Sequence, residues 1–490
     1  MPKKKYKFRL FSAVLATVCI ILVGDAVAPT ASIGNSQYLW WFIMILGFFI
    51  PYALISAELG TQYPSEGGMY TWVKKAFGKK WAGRVAWFYW VNFPLWIASL
   101  ADLTTALLMQ MMGIEMTWPI VLAIQVFYIV LVTILGMLRI SQSDFVSNIG
   151  AIIKALFLLG LGGLGIYVLC TQGTANPITS WADFIPMINA DGSFDAVGLG
   201  FVSLIIFNML GFEVVSTFSN DMDNPKKQIP KAIILGGILI AVLYLLPSFG
   251  IGVAIPVEEI STDTGLLDSY EILLGQIGLT AGAIRAILIV VGGLFIYTLV
   301  ANISSWTFGV ESVIAYAAED GTFPKSWAKR NKDGVPYVVS IWNGVVALII
   351  AVAGIFLAEL AANNENMGEI TNLFWTFFSL SLVTLLLSYM PMFLAYIKLH
   401  KKGPQVENGY WVSGGKFKTY VFGVVPFVLL IVALFFTIFP EFNLAMFDYN
   451  WPLQLGSIIC IVIGEFMIWN MTRKDRQKKL AKGQSANALK

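Results

Sequence analysis

Two acidic side chains stand where a chain this apolar leaves little room for them. Asp25 follows Gly24 and precedes Ala26 in IILVGDAVAPTASIG, residues 20–34, and Pro29 comes four residues later. Glu213 stands two residues after Gly211 in GFVSLIIFNMLGFEVVSTFSNDM, residues 200–222, with Asn208 just upstream. A carboxylate at membrane depth costs at least ~2.5 kcal/mol, so by default it marks a site with a partner. Each acid also lies beside a weak point in its helix. Glycine is a poor helix former, and Pro29 lacks an N–H and clashes with the preceding turn. Loose backbone at that depth survives only where it is buried in protein or lines a wet cavity. Half-helix ends there supply fixed charge: N-termini favour anions, while C-termini and freed carbonyls favour cations such as an ammonium.

The elements that place these acids follow from composition. The 490 residues are 57% hydrophobic and 12% charged, against about 45 to 50% apolar for soluble proteins. This is a polytopic membrane protein. From Leu10 to Val23 the apolar run covers only ~21 Å as helix, short of the ~30 Å hydrocarbon core, so the first span must continue through Gly24 and Asp25. Windows of about twenty apolar residues predict twelve spans, at 10–33, 38–60, 85–112, 117–138, 146–170, 197–219, 232–255, 283–317, 337–358, 370–397, 419–440 and 452–472. The basic N-terminus followed by an apolar run reads as a retained first span and not as a cleaved signal, because the run is too long and lacks a small-residue cleavage site.

Charge alternates between the connections. Lysine and arginine cluster before the first span (Lys3, Lys4, Lys5, Lys7, Arg9), after the second (Lys74, Lys75, Lys79, Lys80, Arg84), fourth (Arg139), sixth (Lys226, Lys227, Lys231), eighth (Lys325, Lys329, Arg330, Lys332) and tenth (Lys398, Lys401, Lys402, Lys416, Lys418), and after the last (Arg473, Lys474, Arg476). The loops at 171–196, 256–282, 359–369 and 441–451 carry acids instead, among them Asp183, Asp191, Asp195, Glu258, Asp263, Asp268, Glu365, Glu369, Glu441 and Asp448. The positive-inside rule then places both termini in the cytoplasm. The chain divides into a cytoplasmic N-terminus (1–9), one transmembrane unit (10–472) and a basic tail (473–490) whose end reads as disordered.

Pro64 to Lys80 is amphipathic, with Trp72, Val73 and Phe77 against lysines. It reads either as a short helix at the inner membrane surface or as a loop anchored by tryptophan. Cys19, Cys170 and Cys460 lack metal-ligand spacing and read as small core hydrophobes. No zincin motif, P-loop or dinucleotide fingerprint is present. No nucleophile and base pair supports an enzyme, and the short basic clusters are explained by topology and not by nucleic acid.

The first span runs inside to outside and the sixth outside to inside, so the two interrupted helices occupy corresponding places in oppositely oriented five-span halves. That pairing points to a midplane site in a transporter of inverted repeats. Three stretches then carry a specific resemblance: GFEVVSTFSNDMDNPKKQIPKAI (residues 211–233), ELGTQYPSEGGMY (58–70) and AAEDGTFPKSWAKRNKDGVPY (317–337). Spread in order over most of the first ten spans, they resemble the amino acid, polyamine and organocation transporter superfamily, with the glutamate/gamma-aminobutyrate and amine antiporters nearest.

The resemblance implies an all-α membrane fold of the LeuT-like kind, five plus five spans in inverted repeat (about 10–172 and 197–397) with two appended spans (about 419–472). In relatives the first broken span typically reads Gly-Ser-Gly, and its amides hold a substrate carboxylate while sixth-span carbonyls hold the amine. This chain places Gly24, Asp25 and Ala26 there. A fixed negative charge would repel a carboxylate and attract an ammonium, so the expected substrate has a cationic end: a diamine, a decarboxylated amino acid or a basic amino acid. The alternative is that Asp25 points away, or is protonated by burial.

By the same resemblance, Lys154 in NIGAIIKALFLLG stands in for a bound sodium ion, tying the first span to the eighth; its alternative is to snorkel to the interface. Phe207 falls where relatives carry an aromatic lid, Asn208 is a hydrogen-bond donor to substrate, and Gly211 with Glu213 forms the sixth-span break, Glu213 bracing it or touching substrate. Asp102 either lines the cavity opposite Asp25 or sits near the outer end in water. Trp306 faces the cavity or packs, and His400 lies among cytoplasmic lysines without a catalytic role. The expected function is alternating-access exchange of an amino acid for its amine at the plasma membrane, with proton-coupled uptake and a non-transporting sensor as alternatives. No cofactor or metal is expected. The expected partners are the small-molecule substrate and the lipid bilayer, with the protein itself a monomer or homodimer.

Overall fold

Backbone groups in hydrocarbon have no water to satisfy them, so apolar runs of this length resolve into helices. The computed structural model describes residues 9–138, 144–185, 197–218, 222–261, 265–362, 373–439, 442–443, 446–447 and 451–488. Arg139, Asp191, Asp195, Asp263, Glu365, Glu369, Glu441, Asp448 and the lysines before Arg9 lie outside them. Among the described residues ten helices are long and apolar enough to cross a membrane, and the pair Leu10–Ile21 and Gly24–Ala31, bent by 50°, passes the same test together. The twelve expected windows include one that fails it. At residues 197–219 the helix stops at Phe207 and resumes only over Val214–Thr217, leaving two pieces too short to count.

In chain order the helices are α1 (Leu10–Ile21) and α2 (Val27–Ala31), joined through a 3₁₀ turn at Gly24–Ala26, then α3 (Ser36–Gln62), α4 (Gly68–Phe77), α5 (Lys79–Met112), α6 (Trp118–Met137) and α7 (Asp144–Gln172). They continue with α8 (Val197–Phe207), α9 (Val214–Thr217), α10 (Pro225–Ala254), α11 (Gly265–Gln276), α12 (Ala281–Glu319), α13 (Tyr337–Ala362), α14 (Leu373–His400), α15 (Gly415–Ile438) and α16 (Trp451–Ala488). The expected disorder of the tail gives way to helix through Ala488, in keeping with its lysine, alanine and leucine content. A two-residue antiparallel pair, Phe442–Asn443 with Met446–Phe447, lies between α15 and α16.

Within α3 the turn at Ile45–Phe49 widens to a π-helix. Pro51 has no N–H to give the carbonyl four residues back, and the helix loosens just ahead of it. Phe49 and Tyr52 then pack on Phe212, with ring centroids 5.1 and 5.4 Å away. Helices α1, α7, α10 and α12 pack together around the first break, while α5 and α14 form a second extensive contact. The α7–α10 crossing is closer than side chains allow: a Cβ on Gly165 would stand 2.2 Å from the carbonyl oxygen of Gly250.

Contacts sort the loops onto two faces. On the lysine-rich face α4 and the start of α5 are pinned to the end of α12: Tyr70 Oη donates to Asp320 Oδ2 at 2.5 Å, Lys74 Nζ to Oδ1 at 2.7 Å, and Lys79 Nζ to the Asp320 carbonyl at 2.5 Å. Trp72 and Val73 are wholly buried, so α4 packs into the protein and does not lie on lipid. His400 stands 2.8 Å from Glu58 Oε1 and stacks on Trp411, which ties α3 to α14 and the following loop. On the other face Asn176 Nδ2 donates to the carbonyls of Gly252 and Ile255 at 2.8 and 2.7 Å, and Arg285 to that of Met112 at 2.5 Å.

Burial pushes the Asp320 carboxyl up, but the hydrogen bonds from Lys74 and Tyr70 more than offset this and hold it below the ordinary carboxylate value. A group depressed on folding stabilises above its unfolded pKa and loses that contribution as pH falls through the folded one. Asp320→Asn should therefore lower thermal stability at neutral pH by a modest amount, about 0.5 to 1 kcal/mol for a half-exposed pair. The gap to the wild type should close in acid below the ordinary carboxylate range; a gap that persists there would assign the effect to packing.

Candidate functional site

The first break lies at Leu22 and Val23, both extended, just ahead of the Gly24–Ala26 turn that opens the second half-helix. A helix end leaves four carbonyls without intrahelical partners, and here side chains from three other helices take those of Cys19 to Leu22. Lys154 Nζ on α7 donates to the carbonyls of Cys19 at 2.8 Å and Leu22 at 2.5 Å. Asn302 Nδ2 on α12 donates to Cys19 and Ile20 at 3.0 and 2.9 Å, and Trp306 Nε1 to Ile20 at 2.8 Å. Tyr244 on α10 bridges the gap itself, accepting from the Val23 N–H at 2.7 Å and donating to the Ile21 carbonyl at 2.9 Å.

Lys154 is 1% exposed and does not reach the interface. Among the described residues its ammonium donates only to the end of α1; the tie from α1 to α12 runs through Asn302 and Trp306. A cation at a helix C-terminus also complements the helix dipole. Trp306 is packed against both breaks, since a Cβ on Gly211 would stand 3.3 Å from its ring.

At the second break α8 ends at Phe207, Asn208 and Met209 turn, and Gly211 adopts φ +125°, open to glycine alone without strain. The same Cβ would meet Ile21 at 2.8 Å and Ile20 at 3.1 Å. The two interruptions are thus in contact. Tyr52 Oη accepts from the amides of Gly211 and Phe212 at 3.0 and 2.9 Å and donates to Glu213 Oε2. Tyr89 and Tyr389 donate to Oε1 at 2.7 and 2.6 Å. Glu213 therefore sits among three phenol donors from α3, α5 and α14 and braces the unwound segment.

With the backbone so fully paired, the polar atoms left over stand out. Among the described residues Asp25 Oδ1 and both amide atoms of Asn208 have no hydrogen-bond partner, and the two residues are 6% and 0% exposed. An unpaired buried polar group calls for an explanation, and a ligand that supplies the partner is one. Lys154, Tyr128 and Tyr244 lie within electrostatic reach of Asp25, and the Tyr128 hydroxyl is also unpaired. An acid and an amide can hold an ammonium and its neighbouring polar group.

Phe207 packs edge-on against Trp96 at 5.3 Å and Phe378 at 4.9 Å, beside the break. Asp102 accepts from Gln125 Nε2 at 2.7 Å and bonds to the backbone of Phe374, linking α5 to α6 and α14. Sequence reasoning missed Tyr52, Tyr89, Tyr244, Asn302, Trp96 and Phe378, because a tyrosine, tryptophan or asparagine inside an apolar window carries no mark of what it will face.

Comparison with known proteins adds a family. The amino acid permease family model matches residues 8–464. A probable agmatine/putrescine antiporter of Lactococcus lactis subsp. lactis is 44% identical, covering 96% of each chain. An uncharacterized transporter of Legionella pneumophila is 27% identical over 97% of this chain and 98% of its own. A glutamate/gamma-aminobutyrate antiporter of Lactococcus lactis subsp. lactis is 24% identical over 97% and 92%.

Proposed function

Since the chain belongs to the amino acid permease family, whose members are membrane transporters and not enzymes, we propose that it exchanges cationic amines across the cell membrane by alternating access. The ammonium sits between the two breaks against Asp25, Asn208 bonds its neighbour, and Phe207 covers the pocket. The observation that carries this is that, among the buried atoms of the described residues without a partner, the two breaks contribute an acid oxygen of Asp25 and the amide of Asn208, and no basic side chain. Agmatine and putrescine, named for the relative of 44% identity, each carry a cation at both ends and no carboxylate, which suits a site with Asp25 where relatives dock a carboxylate. Amine-for-amine exchange thus replaces amino acid-for-amine exchange as the leading reading.

The same reading takes the chain as twelve spans, with the two broken helices in inverted five-span halves and both termini cytoplasmic. The alternation of basic and acidic loops supports this, as does the contact between the breaks.

Counterflow in proteoliposomes tests the function. Vesicles loaded with unlabelled putrescine should accumulate labelled agmatine or putrescine, and empty vesicles should not. Accumulation in empty vesicles driven by an imposed proton gradient would favour symport. Binding without accumulation in either would make the protein a sensor.

A further inference from the structure

A third buried carboxylate lies outside the site just described. Glu311 stands on α12 five residues past Trp306 and is 1% exposed. Helix α13 brings Ser340 and Asn343, one turn apart and each 2% exposed, against it, and Asn343 Nδ2 donates to Glu311 Oε1 at 3.1 Å. Helix α6 closes the corner with Gly136, where a Cβ would stand 3.9 Å from Glu311 Oε1 and 3.8 Å from Ser340 Oγ. Among the described residues Glu311 Oε2 and Asn343 Oδ1 have no hydrogen-bond partner, and the Ser340 hydroxyl lies beside the carboxylate.

The donor count separates this acid from Glu213. Three phenols serve Glu213, whereas Glu311 has two neutral neighbours, the Asn343 amide that donates to Oε1 and the Ser340 hydroxyl beside it. A carboxylate so poorly supported at membrane depth needs a positive partner. None is supplied among the described residues of the neighbouring elements: α6 contributes Gly136 and Thr307 of α12 packs on it, α13 contributes Ser340 and Asn343, and α9 contributes Val214 at Gly309. Arg139, beyond α6, lies outside the described residues. Hard divalent cations take six or more oxygens, more than this corner offers. A single proton on Oε2 meets the need and also gives Asn343 Oδ1 the O–H donor it lacks.

We propose that Glu311, Ser340 and Asn343 form a proton-binding site in the α6–α12–α13 wall, separate from the amine site. The site lies about 7.5 Å along α12 from Trp306, on the helix whose Asn302 and Trp306 hold the first break together. The assignment stands whether or not the protein exchanges amines.

Infrared difference spectroscopy of the purified protein at neutral pH tests it. Glu311→Gln should lose one carboxylic-acid C=O band relative to the wild type, and Ser340→Ala, which removes the neighbouring hydroxyl, should shift that band without abolishing it. Wild-type and Glu311→Gln spectra that coincide in the carboxylic-acid C=O region, and differ only in carboxylate and amide bands, would show an ionised Glu311, as an ion pair with Arg139 would produce, and would overturn the proposal. So would a band bleached by sodium chloride but not by choline chloride at the same pH. Should Glu311→Gln fail to fold, the Ser340→Ala shift decides alone, and an unmoved spectrum counts against the site.

Discussion

Asp25→Asn should raise the KM for a diamine by about 10 to 100-fold while the protein still purifies as a folded, monodisperse species. Asparagine keeps the shape of the side chain and removes only its charge. Hydrogen bonds to charged groups contribute about 1.5 to 3 kcal/mol, and each 1.4 kcal/mol is about tenfold in affinity. Among the described residues Asp25 Oδ1 has no hydrogen-bond partner, so the substitution breaks no hydrogen bond at that oxygen, and the carbonyls of Cys19 and Leu22 still hold the Lys154 ammonium. Asp25→Ser, which restores the neutral residue that permeases of this kind typically carry between glycines, should lose diamine exchange to a similar degree and tolerate a substrate carboxylate better. Initial rates of putrescine counterflow over a concentration series give both numbers. Diamine kinetics unchanged in both variants would remove the cationic-end reading, whatever the substrate then is.

The acids and glycines of both interruptions were legible in the sequence because charge at membrane depth needs a reason. Their exact placement was not. Helix α1 ends at Ile21 and the extended residues are Leu22 and Val23, ahead of Gly24, because Lys154, Tyr244, Asn302 and Trp306 take the last carbonyls from helices far along the chain. No local propensity encodes that. The depth of Lys154 was open for the same reason: a lysine two turns into a span can snorkel, and only the carbonyls waiting opposite it decide. Asp102 was open between cavity and water, and its actual partners, Gln125 and the backbone of Phe374, lie on helices whose register a single sequence does not fix. The amphipathic stretch at 64–80 gave its helix correctly but not its neighbour, since Trp72 against protein and Trp72 against lipid present the same pattern.

Tyr52→Phe should be the most destabilising change among the tyrosines around Glu213. One hydroxyl there performs three tasks, accepting from the amides of Gly211 and Phe212 and donating to Glu213 Oε2. Its removal leaves two buried N–H groups and a carboxylate oxygen unpaired at once, at about 1 to 3 kcal/mol each, or roughly 3 to 5 kcal/mol in sum once partial relaxation is allowed. Tyr89→Phe and Tyr389→Phe each remove one of two donors to Oε1, so either loss is cushioned by the other phenol and should cost less. Thermal unfolding in detergent ranks the three, and counterflow by the surviving protein reports whether the sixth-span break still presents Asn208. A Tyr52→Phe protein no less stable than Tyr389→Phe would mean that the amides of Gly211 and Phe212 find other partners. The break would then be held by packing of Gly211 against Ile20 and Ile21, and not by the phenol.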